Sequence, residues 1–315
     1  MMECWLETWD GKRLALPRTL EWTFRYGMGT PCDSFSVGCI WNEAAAAVLA
    51  DAVRFAAQEG GQRRFTGVVD EAETVWDGNG ARLTIHGRGM AALLLDNEAE
   101  GTEYQTATVG ELLRDHAEPY GIQTVGGAGL APVTGFSVSS GESEWAVLYR
   151  FARYCHGVEP WCDEWGRLRL DGWQDGTRHI VDGKSPVLSA GLSQKRYGVL
   201  SQVVVRDRAG TERHLVSNGA FLQRGGQRRK VMVLPQKTGY EAMRYSGAYQ
   251  IARSSEEETV LNLRLAQTWA ARVGDWVELR LERPRLRGSW RVRSCETGVG
   301  RGGAYTALEL TERGG

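Results

Sequence analysis

The chain uses one pattern twice. Its C-terminal stretch, GDWVELRLERPRLRGSWRVRSCETGVGRGGAYTALELTE (274–312), reads as a short strand, a Pro/Gly turn, a longer strand, a Gly-rich turn and a final strand. Residues 51–88, DAVRFAAQEGGQRRFTGVVDEAETVWDGNGARLTIHGR, run in the same order, with Asp77-Gly78-Asn79-Gly80 standing where Gly298–Gly303 stands later. This near-repeat constrains the fold more than any single motif. A β module used twice points to a pseudo-symmetric building block before it points to an active site.

A length of 315 residues exceeds one ordinary core and suits two or three modules. Forty glycines, well above the ~7% average, fit many tight β turns. The twelve tryptophans fit half-buried sheets and subunit contacts. A formal charge of −1 without a basic block argues against a nucleic-acid surface. The N-terminus MMECWLETWD lacks a signal pattern, and the longest apolar run, Ala44–Ala50, falls far short of the ~20 residues of a membrane span. A soluble protein synthesised in a cytoplasm is expected, with no membrane insertion. The six cysteines (4, 32, 39, 155, 162, 295) include no CxxC pair and match no common zinc spacing, so reduced, mostly buried thiols are expected.

The fold class expected is mainly β with a small α+β insert: two tube-like β-barrel domains flanking a middle α+β domain. Residues 1–88 form the first barrel, from strands at Trp5–Trp9, Thr19–Tyr26, Ser34–Trp41, Arg64–Trp76 and Arg82–His86. Ala44–Ala57 is ambiguous between helix and strand and reads as a loop or short turn at 42–50 followed by a strand. Residues 89–172 change period. Met90–Leu95 is a short helix, and Thr108–Glu111 is a capping box with Leu112, Leu113 and His116 on one face. A second helix starts near Ser140–Glu142, and a hairpin turns at Asp163–Gly166. Residues 173–315 return to β structure as a second barrel with one helix, opened by the capping-box pattern at Thr238–Glu241. Strands there lie at Val199–Arg206, Glu212–Val216, Arg229–Val233, Val260–Ala266, Trp276–Leu281, Ser289–Ser294 and Tyr305–Leu310.

No motif carries chemistry. Asp182-Gly183-Lys184-Ser185 lacks the first glycine of a phosphate loop, Arg178 standing in its place, and Gly87-Arg88-Gly89 lacks the third glycine of a dinucleotide fingerprint. The histidines (86, 116, 156, 179, 214) include no i, i+4 pair, and no nucleophile elbow is present. A glycosidase-type carboxylate pair stays open, because its two acids need not be neighbours. Glu142, Glu144, Asp163 and Glu164 are the candidates.

In this order of modules, the chain resembles the baseplate hub proteins of contractile phage tails, the late control protein D and XkdQ-like families of prophages and tailocins. The resemblance is carried by Gly29-Thr30-Pro31-Cys32-Asp33-Ser34-Phe35-Ser36-Val37, by Phe65–Glu71, by Gly87–Asp96 and by the helix-hairpin Trp145–Leu170 with Trp161–Leu168. It implies a homotrimer whose two barrels per chain make a six-part ring, joining a hexameric tail tube to a trimeric central spike. Its partners would be further copies of itself, the tube and spike proteins, the tape measure and other baseplate proteins. It would sit in the tail baseplate or injection particle, with no catalytic residue, no cofactor and no metal. The middle module would hang at the periphery. Interface residues are expected among Phe35, Val37, Phe65, Val68, Trp276, Val277, Trp290 and Val292, although each taken singly reads more readily as core. The loops 42–50, 97–107 and 224–228 are candidates for tube or spike contact. Two rivals remain: a tail-associated wall or polysaccharide hydrolase using Glu142 or Asp163, and a carbohydrate-binding β protein using Trp161, Trp165 and Trp173.

Overall fold

The computed structural model describes residues 2–27, 33–78, 80–172, 175–207, 213–234, 240–256, 258–282 and 285–312. In the first module, β1 (Met2–Thr8), β2 (Arg13–Ala15), β3 (Thr19–Gly27), β4 (Ser34–Ile40), β5 (Ala52–Glu59), β6 (Gln62–Asp77) and β7 (Gly80–Gly89) are strands. They are hydrogen-bonded in the order β3-β4-β7-β6-β5-β1-β2. Alternation directs Phe24, Phe35, Val37, Phe55, Phe65 and Ile85 inward, where all are buried. Phe35 stacks on Phe55 with ring centroids 3.9 Å apart. Gly67 and Gly87 let β6 and β7 approach: a Cβ on Gly87 would lie 2.0 Å from the Val68 carbonyl oxygen.

Between β4 and β5 the structure corrects the expected loop. Glu43–Val48 is a helix, α1, because the Asn42 side chain accepts the Ala45 N–H at 3.1 Å and the alanines then propagate the turn.

The middle segment has its own core around Leu94, Leu112, Phe136, Leu148, Phe151 and Leu168. Its helices are α2 (Ala92–Asp96), α3 (Val109–His116) and α4 (Glu144–Tyr149). Thr108 and Glu111 form the expected capping box on α3. The second helix starts later than read, because Ser143 is its cap and Glu142 belongs to a strand; it runs on as a π-helical turn at Arg150–Cys155. The span 97–107, expected as a loop, holds strands β8 (Glu98–Ala99) and β9 (Thr102–Ala107). There Tyr104 and Ala107 alternate with polar residues. Strands β10 (Thr124–Gly126), β11 (Val133–Val138), β12 (Glu142–Ser143), β13 (Trp161–Cys162) and β14 (Leu168–Leu170) follow; β9 pairs with β11, β8 with β12, and β14 with both β10 and β13.

The last segment opens with two strands the sequence reading missed, β15 (Arg178–Asp182) and β16 (Val187–Gln194). Three strands, β17 (Gln202–Arg206), β18 (Arg213–Ser217) and β19 (Arg229–Val233), then make a separate small sheet. It is accompanied by α5 (Gly219–Gln223) and α6 (Tyr240–Glu256), with a core of Leu200, Val203, Val205, Leu234 and Met243. The strands assigned from sequence to one barrel therefore divide between that barrel and a distinct insertion. The capping-box pattern at Thr238 lies outside the described residues. Strands β20 (Thr259–Leu265), β21 (Trp276–Glu282), β22 (Arg285–Gly300) and β23 (Gly303–Glu312) complete the chain.

Strands β15, β16 and β20–β23 repeat the first module in detail. The order β16-β20-β23-β22-β21-β15 reproduces β3-β4-β7-β6-β5-β1. Both long strands have 16 residues, with bulges at Asp70 and Arg293, the same place counted from each strand's start. Register follows pair for pair: Gly67↔Gly89, Val69↔Gly87, Glu71↔His86 and Asp77↔Gly80 become Trp290↔Glu312, Val292↔Leu310, Ser294↔Glu309 and Gly300↔Gly303. Gly300–Gly303 is thus the turn equivalent to 77–80, whereas Gly298 and Val299 still belong to the strand. The bulges between Thr19 and Glu21 and between Val187 and Ser189 match as well. Parallel pairing of β15 with β21 is the difference, since β1 meets β5 antiparallel. After its bulge, β22 leaves β21 and pairs with β3, so both modules share one 13-stranded sheet.

Candidate assembly surfaces

Seven of the eight residues singled out from sequence as interface candidates are buried in the protein's own interior. Phe35, Val37 and Phe65 lie in the first barrel core, Val277, Trp290 and Val292 in the second, and Val68 packs under the middle segment. Trp276 is half-buried; its indole N–H donates to Asp175 Oδ1 at 3.1 Å. Sequence reasoning selected apolar strand positions, which are the ones that pack in cores, on one face at Phe65 and on the other at Val68. Strand edges are a different kind of surface, with backbone N–H and C=O groups left unpaired.

Two such edges stand out. Along β6, residues 62–68 pair with β5, but beyond the bulge residues 71–76 pair only with β7, and no described strand lies on their other side. β16 pairs with β20 and ends the sheet. Apolar side chains project there: Trp76 is 68% exposed, Leu188 59% and Leu192 51%. The internal junction between β22 and β3 shows what a satisfied edge looks like. Along it Trp22 and Phe24 are buried in the first module's core and Cys295 in the second's. Arg25 bonds Glu296 at 2.5 Å, and the Tyr305 hydroxyl donates to Glu296 at 2.8 Å. Of the loops expected to make contacts, only 224–228 is irregular, and Arg228 donates from it to the carbonyls of Tyr197 and Gly198.

The carboxylates proposed for hydrolysis are held by structure. Glu142 accepts two hydrogen bonds from Arg150, at 3.1 and 2.9 Å, and Arg150 also donates to the Ser137 carbonyl. Asp163 closes its hairpin turn by accepting from the Trp165 and Arg167 N–H groups, each at 3.0 Å, and from Arg167 Nε at 2.8 Å. Buried Glu144 is bonded by His116 Nδ1 at 2.6 Å and by the Tyr120 hydroxyl at 2.9 Å. Glu164 pairs with Arg272 at 2.5 Å.

A cavity of about 670 Å³ lies where the first barrel, the middle hairpin and the second barrel meet, lined by Asp33, Arg63, Trp165, His179, Trp269 and Asp275. Burial pushes the Asp33 carboxyl up to about 7, offset in part by the hydrogen bond it accepts from the Gly27 N–H. His179 contacts Asp275 at 2.9 Å and stacks on Trp269, while Asp275 also caps the backbone at Thr177 and Arg272. No group of three or more His, Cys, Asp or Glu among the described residues could hold a metal ion. Nor is any described helix long and apolar enough to cross a membrane.

The aromatic platforms are similarly engaged. The Arg63 guanidinium sits between Trp5 and Trp165, 4.7 and 4.8 Å from their ring centroids. Trp161 donates to the Gly172 carbonyl at 3.2 Å. Trp173 lies outside the described residues, as does Cys32. The other five cysteines are free, and burial pushes Cys4 and Cys295 up to about 12.

No protein-family model and no curated protein matches this sequence. Solved structures do match in shape. A tail protein from Neisseria meningitidis MC58 superposes with a TM-score of 0.77 at 16% identity, covering 99% of this chain and 97% of the other. The 43 kDa tail protein of prophage MuSo2 from Shewanella oneidensis gives 0.73 at 16% identity, with 98% of each chain covered. The E. coli c3393 protein, a component of the type VI secretion system, gives 0.56 at 13% identity over 94% of this chain and 74% of its own. At these identities the likeness is one of fold: mainly β, with large antiparallel sheets.

Proposed function

We propose that this chain is a structural subunit of a phage tail or contractile injection system. In this reading it is a baseplate hub, a homotrimer with pseudo-sixfold symmetry that joins a hexameric tube to a trimeric spike. One observation carries the reading: the two β modules share one order of six strands, and β3, β4, β7 and β6 agree with β16, β20, β23 and β22 down to bulge position and register. Three chains with two equivalent modules each offer six similar surfaces to a sixfold partner while keeping threefold symmetry for another. The tail and type VI secretion proteins that share the fold support the setting. Divided functionally, residues 1–88 and 173–315 supply the ring, and 89–172 lies at its periphery. Assembly needs no cofactor, metal or catalytic group.

The test is mass in solution, by light scattering and native mass spectrometry, for the chain alone and mixed with the tube and spike proteins encoded beside it. Three copies per particle are expected. A chain that remains monomeric in every mixture would refute the hub reading.

A further inference from the structure

We infer that the free edge of β6, residues 71–76, pairs antiparallel with the free edge of β16 in a second copy of this chain, in a register that the internal junction dictates. The inference deepens the proposed hub and rests on that reading for the number of copies, but the pairing itself comes from the duplication.

Inside the chain, the second module's long strand, beyond its bulge, binds the first module's outermost strand: Ser294↔Gly27, Cys295↔Tyr26, Glu296↔Arg25, Thr297↔Phe24, Gly298↔Thr23 and Val299↔Trp22. The register of β6 with β7 against that of β22 with β23 makes Ser294–Val299 equivalent to Glu71–Trp76. The edge strands match through their pairing with β4 and β20: Trp22, Phe24 and Arg25 correspond to Ala190, Leu192 and Ser193. The equivalent junction is therefore Glu71↔Lys195, Ala72↔Gln194, Glu73↔Ser193, Thr74↔Leu192, Val75↔Gly191 and Trp76↔Ala190.

Each chain presents one half at β16, which ends the sheet, and the other on the part of β6 beyond its pairing with β5, so the contact is head-to-tail and, in the proposed hub, closes as a ring. A second copy is the occupant because this chain itself carries both complementary edges, equivalent to the two strands already joined within it. The surfaces fit the assignment. Trp76 and Leu192 are exposed apolar side chains on the two edges to be joined. Acidic Glu71 and Glu73 would face the basic end at Lys195 and Arg196, and opposite charges across strands favour one register. Unpaired N–H and C=O groups on both edges would be satisfied.

The test joins Thr74→Cys and Leu192→Cys in one full-length chain. Each single variant serves as a background for the native thiols, and Thr74→Cys with Leu188→Cys serves as a control displaced by roughly 13 Å along the strand. After mild oxidation, the matched pair is expected to give covalent species ending at a closed three-chain ring, and the control only background. Charge exchange is a second measurement. Glu71→Lys should weaken assembly on the order of fivefold, and adding Lys195→Glu should restore it. An oligomer of normal mass without the Thr74–Leu192 link, or with the control pair linked equally well, overturns the strand pairing and leaves the hub standing. A chain that neither links nor associates, alone or with its tube protein, overturns both.

Discussion

Single residues carry most of what can be tested in the isolated chain. At Gly87 and Gly67 an added Cβ would meet backbone at 2.0 and 2.1 Å, so the strands themselves must shift. Gly87→Ala is expected to destabilise by about 1–3 kcal/mol in chemical denaturation. Asp33 has the opposite sign from an ordinary paired carboxylate. Its folded pKa, about 7, lies above the unfolded value, so the native state holds the extra proton between about 4 and 7. Stability from this group is full below about pH 4, falls as pH rises and levels off above 7. Asp33→Asn should flatten that part of the stability–pH curve, measured by denaturant midpoints across the range. Arg150 is buried against Glu142, and Arg150→Met should cost about 3–5 kcal/mol by leaving that carboxylate without its partner.

At the scale of elements, legibility in the sequence tracked how local the determining physics is. The box at Thr108 was readable because its two partners lie three residues apart, and Thr108→Ala should cost about 1 kcal/mol of thermal or denaturant stability. β22 was read only as Ser289–Ser294 because its bulge at Arg293 reverses the inward phase. Trp290 and Val292 point inward before it, Cys295 and Thr297 after it, and a strict period of two breaks there. β16 was missed because it is an edge with small residues, Ser189, Ala190 and Gly191, and its apolar Leu188 and Leu192 are left exposed. Seven of the eight interface candidates lie in cores for a related reason: hydrophobicity marks what a strand buries in its own module, while an edge is a property of pairing that composition does not record.

For the molecule as a whole, the near-repeat legible in the sequence proved to be a shared order of six strands in two modules, differing in the parallel pairing of β15 with β21, although β15 and β16 were not seen. Duplication makes one prediction that no single barrel could. Amide hydrogen exchange in β22 at 294–299 should be slow in every state of the protein, because its partner β3 is in the same chain. Exchange at 71–76 should be fast on the outer edge of β6 in the monomer and slow on assembly.

The small sheet with α5 and α6 is inserted between β16 and β20, whereas the equivalent strands β3 and β4 are joined by a short connection. The twin modules are thus alike in the strands that would line a bore and unlike in what they carry outside it. Around a closed ring of three chains, this cargo would occupy alternate seats. A partner threading the middle would count to six, and one gripping the rim would count to three.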